Sequence, residues 1–480
     1  MATKRDQLQS HQFLVQRVVS ALTTRETDPE QPPFRRPMGA AFGSIALAVL
    51  VLVGFGVYGL IVPGGKTAWR TGESVIVEKE TGTRFVYVDG RLHPATNYVS
   101  ALLALGKYAK PMNVSHSSLA GVPRGPRIGI PDAPDALPAP ANLLGGAWSL
   151  CSEPMKDVTG AAVDESVLMV GHQPAGGRSM DDDALLVAVS ETGDQYLLRG
   201  GYRHRIRPTD VVTVGLALRS EPWATVGLEL IDAIPSGEAL RPIQVEGLGR
   251  PSRAVAGMKS LRIGQLLVVE STGGGRQYYL VERDQLRPIT PLQYDIQRTF
   301  APTAKAYGGR QPVAAPLGLV AAGQARQAPA APTTAGQLPA ERPDFVAPRG
   351  PGTSLCAIFD PGAVVPRLMV DATMPARDPM TSTSARTGRG APLADRVLVP
   401  PGQAAVVETM PAPDAPAGTI GLVTDLGIIH YLAGPKVLET LGYQGVTPIR
   451  MPAGLVARIP AGNGLDPAAA KQQLAGPATR

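Results

Sequence analysis

Few residues of this sequence have the types and spacing of a catalytic or nucleotide-binding site. The nearest match to a phosphate-binding loop is the Gly-Gly-Lys-Thr stretch at residues 64–67. Such a loop holds phosphates on backbone amides and needs a glycine five residues before its Gly-Lys pair, where this sequence has Leu60. We therefore expect a turn there. Gly273, Gly274 and Gly275 lie between two strand patterns, which predicts a hairpin loop.

Two clusters of charged residues have the composition of an ion-binding site. Asp181, Asp182 and Asp183 supply oxygen ligands for a hard cation, but they lack the alternating spacing of a calcium loop, so a solvated turn is the better interpretation. The basic residues at 203–207 could contact an anionic polymer or lipid, although a solvated basic face is favoured. The six histidines show no metal-ligand spacing, and no Gly-x-Ser-x-Gly elbow is present. The sequence predicts no catalytic residue, no metal site and no cofactor, with ATP as a ligand only if the protein is an ATP hydrolase.

A membrane span is the clearest element that the sequence predicts. The run from Gly39 to Val62 contains no charged residue, and at about 1.5 Å per residue it spans roughly 36 Å, enough to cross a hydrocarbon core about 30 Å thick. Its length and flanks disfavour a cleaved signal peptide, and a buried soluble helix would show a polar face. Basic residues such as Arg35 and Arg36 precede it, which places the N-terminus in the cytoplasm. Gly39 and Gly43 form a GxxxG pattern that allows another helix to approach closely.

The segment before the span predicts an amphipathic helix that begins near Thr3. Apolar residues recur there at helical spacing and share one face: Leu14, Val15, Val18, Val19 and Leu22. This face could dock a cytoplasmic partner, which is the favoured interpretation, or lie on the lipid surface.

The rest of the chain is too long for one compact core. The chain as a whole has 54 glycines, 47 prolines and only 5% aromatic residues, a composition that predicts short strands, turns and long linkers. The net charge is +6, but the basic residues are scattered and do not alternate with aromatics, so a nucleic-acid partner is not expected.

Both cysteines lie beyond the span, in a compartment where thiols oxidise. We predict a disulfide between Cys151 and Cys356; the alternative is two unrelated buried thiols. An internal duplication favours the bond. Ser-Leu-Cys at 149–151 recurs at 354–356, and Leu-Met-Val at 168–170 recurs at 368–370, as a pseudo-two-fold arrangement of two halves would require.

A shorter pattern of two strands, a polar turn and a short helix occurs four times. Its strand pairs are 74–77 with 85–88, 184–189 with 195–198, 265–270 with 277–281, and 419–423 with 428–432. The predicted fold class is thus α+β and β-rich, with one transmembrane helix and an elongated extracytoplasmic region of four hairpin-plus-helix repeats around a disulfide-bonded central domain. The predicted divisions are 1–38 cytoplasmic, 39–62 span, 63–110 repeat 1, 111–175 central domain, 176–225 repeat 2, 226–258 connection, 259–300 repeat 3, 301–350 linker, 351–412 central domain, 413–460 repeat 4 and 461–480 mobile tail.

The stretch from Arg5 to Arg17, the single span, the Gly-Ile-Pro-Asp-Ala-Pro segment at 129–134 and the two cysteines together resemble the EccB family. This family is the membrane-anchored component of actinobacterial type VII (ESX) secretion systems. The resemblance implies partnership with the EccC motor ATPase, the multi-span EccD, EccE and a mycosin protease, together with self-association. It also implies four repeats around a disulfide-bonded domain, in a repeat fold similar to a phage-lysin subunit that binds cell wall.

Three functional hypotheses follow. The favoured one is a structural component of a secretion core complex, a single-pass inner-membrane protein with a cytoplasmic N-terminus and most of its chain extracytoplasmic. The second is an extracytoplasmic ATP hydrolase, because some family members carry that label. The third is a cell-wall-binding module, which the fold likeness by itself does not establish.

Overall fold

Two helices come first in the chain. The computed structural model describes residues 3–25, 35–61, 67–156, 159–271, 273–329, 334–350, 353–412 and 414–474. Helix α1 (Lys4–Thr24) begins after Thr3, whose backbone N and Oγ1 both donate to the Asp6 carboxylate, at 2.9 and 2.7 Å. Helix α2 (Arg35–Ile61) includes the uncharged stretch Met38–Tyr58, which is long and apolar enough to cross a membrane and is not buried by the protein. Val62, the predicted end of the span, lies outside the described residues.

The described residues beyond α2 form four four-stranded sheets, here called units 1 to 4, and one six-stranded central sheet. In chain order, unit 1 has β1 (Val75–Glu78), β2 (Arg84–Val88), β3 (Arg91–Ala95), α3 (Tyr98–Leu105), β4 (Pro111–Val114) and α4 (His116–Leu119). Three strands of the central sheet follow: β5 (Trp148–Lys156), β6 (Ala162–Met169) and β7 (Ala175–Ser179). Unit 2 has β8 (Leu185–Val189), β9 (Gln195–Arg199), β10 (Tyr202–Arg205), α5 (Thr209–Gly215), β11 (Trp223–Val226) and α6 (Leu228–Ala233).

Unit 3 has β12 (Leu266–Glu270), β13 (Arg276–Val281), β14 (Leu286–Ile289), α7 (Pro291–Thr299), β15 (Ala315–Pro316) and α8 (Leu319–Gln324). The second half of the central sheet is β16 (Leu355–Phe359), β17 (Arg367–Thr373) and β18 (Arg396–Leu398). Unit 4 has β19 (Ala405–Met410), β20 (Thr419–Val423), β21 (Ile429–Tyr431), α9 (Lys436–Thr440), β22 (Ile449–Pro452) and α10 (Ala453–Val456), and α11 (Pro467–Ala470) follows.

All four units have the same strand order, third-second-first-fourth. The first three strands are antiparallel, and the fourth, which follows a helix, pairs parallel to the first. A glycine with positive φ closes the first hairpin of units 1, 2 and 3: Gly82 (+71°), Gly193 (+70°) and Gly274 (+82°). This backbone conformation is one that other residues rarely adopt, which explains the glycine in each predicted turn.

The structure differs from the predicted repeats at the third strand. The segments predicted as polar turns after the hairpins are strands β3, β10 and β14, because each pairs along its length with the second strand. In unit 4 the prediction is displaced by one strand: Thr419–Val423 is the second strand, and the first is β19, within the segment assigned to the central domain.

The central sheet has the order β18-β6-β5-β16-β17-β7. Its middle pair, β5 and β16, comes from the two halves of the chain, and each is flanked by an antiparallel partner, β6 or β17. The Leu-Met-Val triplets lie on these flanking strands but in different registers, since Cys151 is opposite Val167 and Cys356 is opposite Met369.

The hydrophobic cores show how the sheets pack against one another. One core joins the central sheet to units 2 and 4, a second joins unit 4 to unit 1, and a third joins unit 2 to helix α7 of unit 3. Strand β8 contributes Leu185 and Val187 to the first core and Leu186 to the third. Both of its faces are buried, which explains the unbroken apolar run in its sequence.

Several predicted boundaries differ from the structure. Strand β4 lies beyond residue 110, and α6 lies within the predicted connection, yet β4 completes the sheet of unit 1 and α6 packs on unit 2. The predicted linker 301–350 contains β15 and α8 of unit 3. Much of the predicted mobile tail is packed, because Leu465 and Ala470 are buried against units 1 and 4. Residues 475–480 lie outside the described residues.

Candidate functional sites

The predicted docking face on α1 is exposed. Leu14, Val15, Val18 and Leu22 are between 46% and 79% exposed, and Val19 is half-buried. An apolar stripe on a helix normally packs against a partner protein or a lipid surface. The geometry is therefore suitable for either occupant that the sequence suggested.

The predicted close-packing positions in the span are open. A Cβ placed on Gly39 or Gly43 would meet no described atom within 4 Å. Both glycines lie on α2, one turn apart, so this side of the helix is free to approach another helix closely.

The two cysteines form the predicted disulfide. Cys151 on β5 and Cys356 on β16 face each other in the antiparallel register, with Cα atoms 4.0 Å apart and an S–S distance of 2.05 Å. They pack with Val167 and Met169 on one face of the central sheet, whereas Trp148 and the large core lie on the other. The bond thus joins the two halves of the chain at the centre of the sheet.

The glycine and aspartate clusters that the sequence offered as candidate sites lie, where the structure describes them, in turns between strands. Residues 64–66 lie outside the described residues. Gly273 to Gly275 form the tip of the first hairpin of unit 3, where the Gly275 N donates to Ser271 Oγ at 3.1 Å. Asp181, Asp182 and Asp183 are exposed between β7 and β8. Over the described part of the chain, no group of three or more metal-ligating side chains could hold a metal ion.

The basic cluster at 203–207 is only in part the solvated face that the sequence predicted, because Arg207 is exposed but Arg203 and Arg205 are half-buried. Arg203 pairs with Asp232 at 2.9 Å and Arg205 pairs with Asp194 at 2.6 Å, so both charges are compensated. His204 is buried between them, only 2% exposed. This part of β10 therefore links the sheet of unit 2 to its own turn and helix.

His204 has counterparts in two other units, a feature that the sequence analysis missed. His93, His204 and His430 lie on the third strands of units 1, 2 and 4, and each Nδ1 is hydrogen-bonded to a backbone carbonyl, of Pro126 (3.2 Å), Glu238 (2.8 Å) and Asn463 (2.9 Å). A carbonyl only accepts, so Nδ1 holds the proton and the Nε2 of the neutral ring is an acceptor. Burial lowers the pKa of both His204 and His430.

A glycine precedes each of these carbonyl residues and lies against the ring. A Cβ added to Gly125, Gly237 or Gly462 would come within 2.2, 2.6 or 2.5 Å of the imidazole Cε1. These three His–Gly pairs share a backbone pattern: the strand residue before the histidine donates its N–H to a proline carbonyl and accepts from the glycine N–H, with Pro123, Pro235 and Pro460 as the prolines. A Pro-x-Gly triplet that begins about 30 residues after each histidine is the signal that could have revealed the pairs.

Unit 3 has the same backbone arrangement with different side chains. Leu286 donates to the Arg326 carbonyl and accepts from the Ala328 N–H at 2.8 Å in both bonds, and the residue in the histidine position is Arg287. Arg287 points to a partly exposed ion pair with Glu282 instead of a buried carbonyl. Without a ring to accommodate, alanine fits where the other units have glycine.

Comparisons with known proteins agree with this architecture. The family model described as type VII secretion system ESX-1, transport TM domain B, matches residues 1–477. The protein called ESX-2 secretion system ATPase EccB2 of Mycobacterium tuberculosis is 32% identical over 350 residues, which cover 70% of this chain and 66% of that protein, slightly less than two thirds of its length. ESX-3 secretion system ATPase EccB3 of Mycolicibacterium smegmatis is 27% identical over 501 residues, covering 96% of this chain and 89% of that protein.

Solved structures share the fold. A chain of the intact ESX-5 inner membrane complex aligns with a TM-score of 0.64 at 24% identity, covering 100% of this chain and 97% of that one. A chain of the EccB3 dimer from the ESX-3 core complex aligns with a TM-score of 0.62 at 25% identity, covering 83% of this chain and 100% of that one.

Proposed function

This chain belongs to the EccB family of type VII secretion systems, and we propose that it is a structural, membrane-anchored component of an ESX inner membrane complex. The observation that supports this role best is its division into one apolar helix and a series of sheets joined by continuous cores and cross-linked at their centre. Such a body is suited to hold surfaces at fixed separations, which is what an assembly component requires.

The topology that we propose is a single pass with α1 in the cytoplasm and the sheets outside. The basic residues before α2 favour a cytoplasmic N-terminus. The disulfide favours an oxidising compartment for the other side, because cytosolic thiols are kept reduced.

For partners, we propose the other core components of an ESX system: an EccC-like motor ATPase, an EccD-like multi-span protein, an EccE-like protein and a mycosin protease. Self-association is also proposed, since one structural relative is described as an EccB3 dimer. Within the membrane, the open side of α2 at Gly39 and Gly43 would pack on a neighbouring helix. On the cytoplasmic side, the apolar face of α1 would bind a partner protein.

We further propose that units 1 to 4 are copies of one ancestral unit, duplicated in pairs about a pseudo-two-fold axis near the disulfide. Their common strand order supports this, as does the shared backbone pattern at the third strand. The packing order also supports it, because units 2 and 4 each contact the central sheet and units 3 and 1 pack outside them.

ATP hydrolysis is the second candidate function, because the relatives EccB2 and EccB3 are named secretion system ATPases. The test is phosphate release by the purified full chain in detergent. Activity that co-purifies with the protein and is lost in Lys66→Ala, but kept in the nearby control Lys79→Ala, would favour the enzyme over the structural role.

The structural role is tested by native electrophoresis of gently solubilised membranes containing a tagged copy, followed by mass spectrometry of the band. We expect a large complex that contains a motor ATPase and a multi-span protein. Placing aspartates at Leu14 and Val18 on the apolar face of α1 should release these partners, whereas aspartates at Gln12 and Gln16 on the same helix should not. A chain that migrates without other ESX components would contradict the proposal.

A further inference from the structure

A cleft of about 600 Å³ lies between unit 4 and the segment that follows unit 1. One wall is the segment that follows unit 1, including Asp132 and Asp135. The other wall is the turn between β20 and β21, with Asp425 and Leu426, together with His430 from β21. The Gly-Ile-Pro-Asp-Ala-Pro segment that the sequence analysis singled out thus forms part of this cleft.

The polar groups of the cleft are almost all hydrogen-bond acceptors. His430 donates Nδ1–H to the Asn463 carbonyl, so its Nε2 presents a lone pair, and the ring is only 3% exposed. Gln403 Oε1 is buried and has no hydrogen-bond partner among the described atoms. Asp132, Asp135 and Asp425 add carboxylates, and no lysine or arginine is among the described residues that line the cleft.

Some of these acceptors already have donors, and others do not. Arg84 reaches Asp135 at 3.3 Å from outside the cleft, and the Gly402 N–H donates to Asp425 at 2.8 Å. Asp132 makes no hydrogen bond or ion pair within the described part of the chain, and neither does the Nε2 of His430. Unpaired acceptors in a half-enclosed site favour a ligand that brings N–H donors and positive charge.

The walls are held in place before any ligand arrives. Asn463 donates its side-chain N–H to the Pro131 carbonyl at 2.8 Å while its own carbonyl accepts from His430. From the opposite side, Asn97 donates to the Ile130 carbonyl at 2.8 Å. Asp132 follows with a φ of +55°, a left-handed conformation that Asp adopts more readily than most residues. The backbone that leads into Asp132 is therefore held by the side-chain amides of Asn97 and Asn463.

We propose that this cleft, here called the Asp132 cleft, binds a lysine or arginine side chain of a protein partner. Its carboxylates and acceptors match an ammonium or guanidinium group, and Leu422, Leu426 and Ile428 provide an apolar wall for the aliphatic stem. Leu426 is 73% exposed, as expected for a side chain that a partner covers. The Arg84–Asp135 pair already shows one such contact at the edge. The site goes beyond the proposed assembly role and does not depend on which complex contains the chain.

The test is a titration of the full chain in detergent with N-acetylated, amidated Ala-Lys-Ala, followed by NMR of 13C-labelled histidine. The signal of His430 is identified by its loss in His430→Gln. We expect this signal to shift saturably with a Kd of about 1 mM or tighter, while the other histidine signals stay constant. The same peptide with norleucine in place of lysine should leave His430 unchanged.

The decisive variant is Asp132→Asn, which keeps the side-chain size and the tolerance of positive φ. We expect it to weaken lysine-peptide binding by about tenfold or more. Asp89→Asn is the matched control, because Asp89 is also exposed with a φ of +51° but lies in a turn of unit 1 away from the cleft. An equal response to norleucine, or binding that Asp132→Asn leaves intact, would overturn the proposal. Both measurements use the isolated chain and do not depend on complex assembly. A result against the Asp132 cleft therefore leaves the proposed role in a secretion complex untouched.

Discussion

Units 2 and 3 are neighbours with the same strand order, yet they differ at one structural position on the third strand. Unit 2 places His204 there, buried against Gly237, whereas unit 3 places Arg287, partly exposed, with Ala328 opposite. Units 1 and 4 also have a histidine there, half-buried in unit 1 and buried in unit 4. The backbone hydrogen bonds are the same in both versions, so the topology does not depend on the histidine.

This difference shows that the glycine is required by the space that the imidazole ring occupies, and not by its own backbone conformation. None of Gly125, Gly237 and Gly462 is among the residues with positive φ, so their conformation does not require glycine. Each is instead too close to an imidazole for a Cβ. Side chain and glycine therefore have to change together, which explains why unit 3 has replaced both.

The largest loss of unfolding free energy that we expect comes from removing the disulfide of the central sheet. The smaller losses expected in the four units can be compared with it. Replacing both cysteines, Cys151→Ser with Cys356→Ser, frees a loop of 205 residues in the unfolded chain, and the chain-entropy model gives a loss of up to about 5 kcal/mol of unfolding free energy. Urea unfolding followed by tryptophan fluorescence measures it, because Trp148 lies on the same strand as Cys151. Reductant should shift the unaltered chain to the same midpoint. Equal midpoints for variant and parent under oxidising conditions would show that the bond contributes little.

Breaking a His–Gly pair should have the next largest effect. Gly462→Ala places a Cβ at 2.5 Å from the His430 ring, and overpacking of this kind costs about 1–3 kcal/mol. Ala328→Gly in unit 3 is the matched reverse change, and it should cost no more than about 1 kcal/mol because no ring lies there. Denaturant midpoints of the two variants compare them directly. The added Cβ also lies 2.9 Å from Ile428 Cγ2, so His430→Ala should remove only part of the penalty, and no relief at all would mean that Gly462 and His430 are not coupled.

The pH dependence of stability should also distinguish the two kinds of unit. Burial lowers the pKa of His204 and His430 below the ordinary value of 6.5, so the unfolded chain binds these protons more readily than the folded one. Their contribution is complete above pH 6.5 and is lost as the pH falls from 6.5 through the lower folded-state pKa values. Unit 3 has Arg287 in place of the histidine and therefore has no imidazole at this position.

His204→Gln tests this because a glutamine amide can still donate to the Glu238 carbonyl but cannot be protonated. We expect the loss of unfolding free energy between pH 7 and pH 5 to be smaller in the variant than in the parent, because one group with a lowered pKa in the folded state has been removed. Arg287→Gln is the control, with an unchanged pH profile. A parent and a His204→Gln variant with parallel profiles would mean that His204 is not the group that titrates.

The sequence predicted what local signals determine and missed what distant contacts determine. The span, the hairpins of units 1 to 3 and the Cys151–Cys356 bond follow from an apolar run, from glycine turns and from a duplicated triplet. The fourth strands were missed because each pairs with a first strand across an intervening helix, and the two-residue β15 has almost no pattern of its own. The Asp132 cleft was missed for the same reason, since Asp132 and His430 meet only through the packing of units 1 and 4.

The smallest effect that we expect comes from the residue that replaces the histidine in unit 3. Arg287 donates Nε–H to Glu282 at 2.6 Å, but its side chain is 46% exposed, and ion pairs in contact with solvent contribute less than about 1 kcal/mol. Arg287→Gln should therefore lower the unfolding free energy by only a few tenths of a kcal/mol, and less still at high salt, because salt screens the pair. Urea midpoints at 0.05 and 1 M NaCl measure both statements. A loss as large as that of Gly462→Ala would mean that unit 3 depends on its arginine as strongly as units 2 and 4 depend on their buried rings, and the distinction between the two kinds of unit would then be one of chemistry and not of stability.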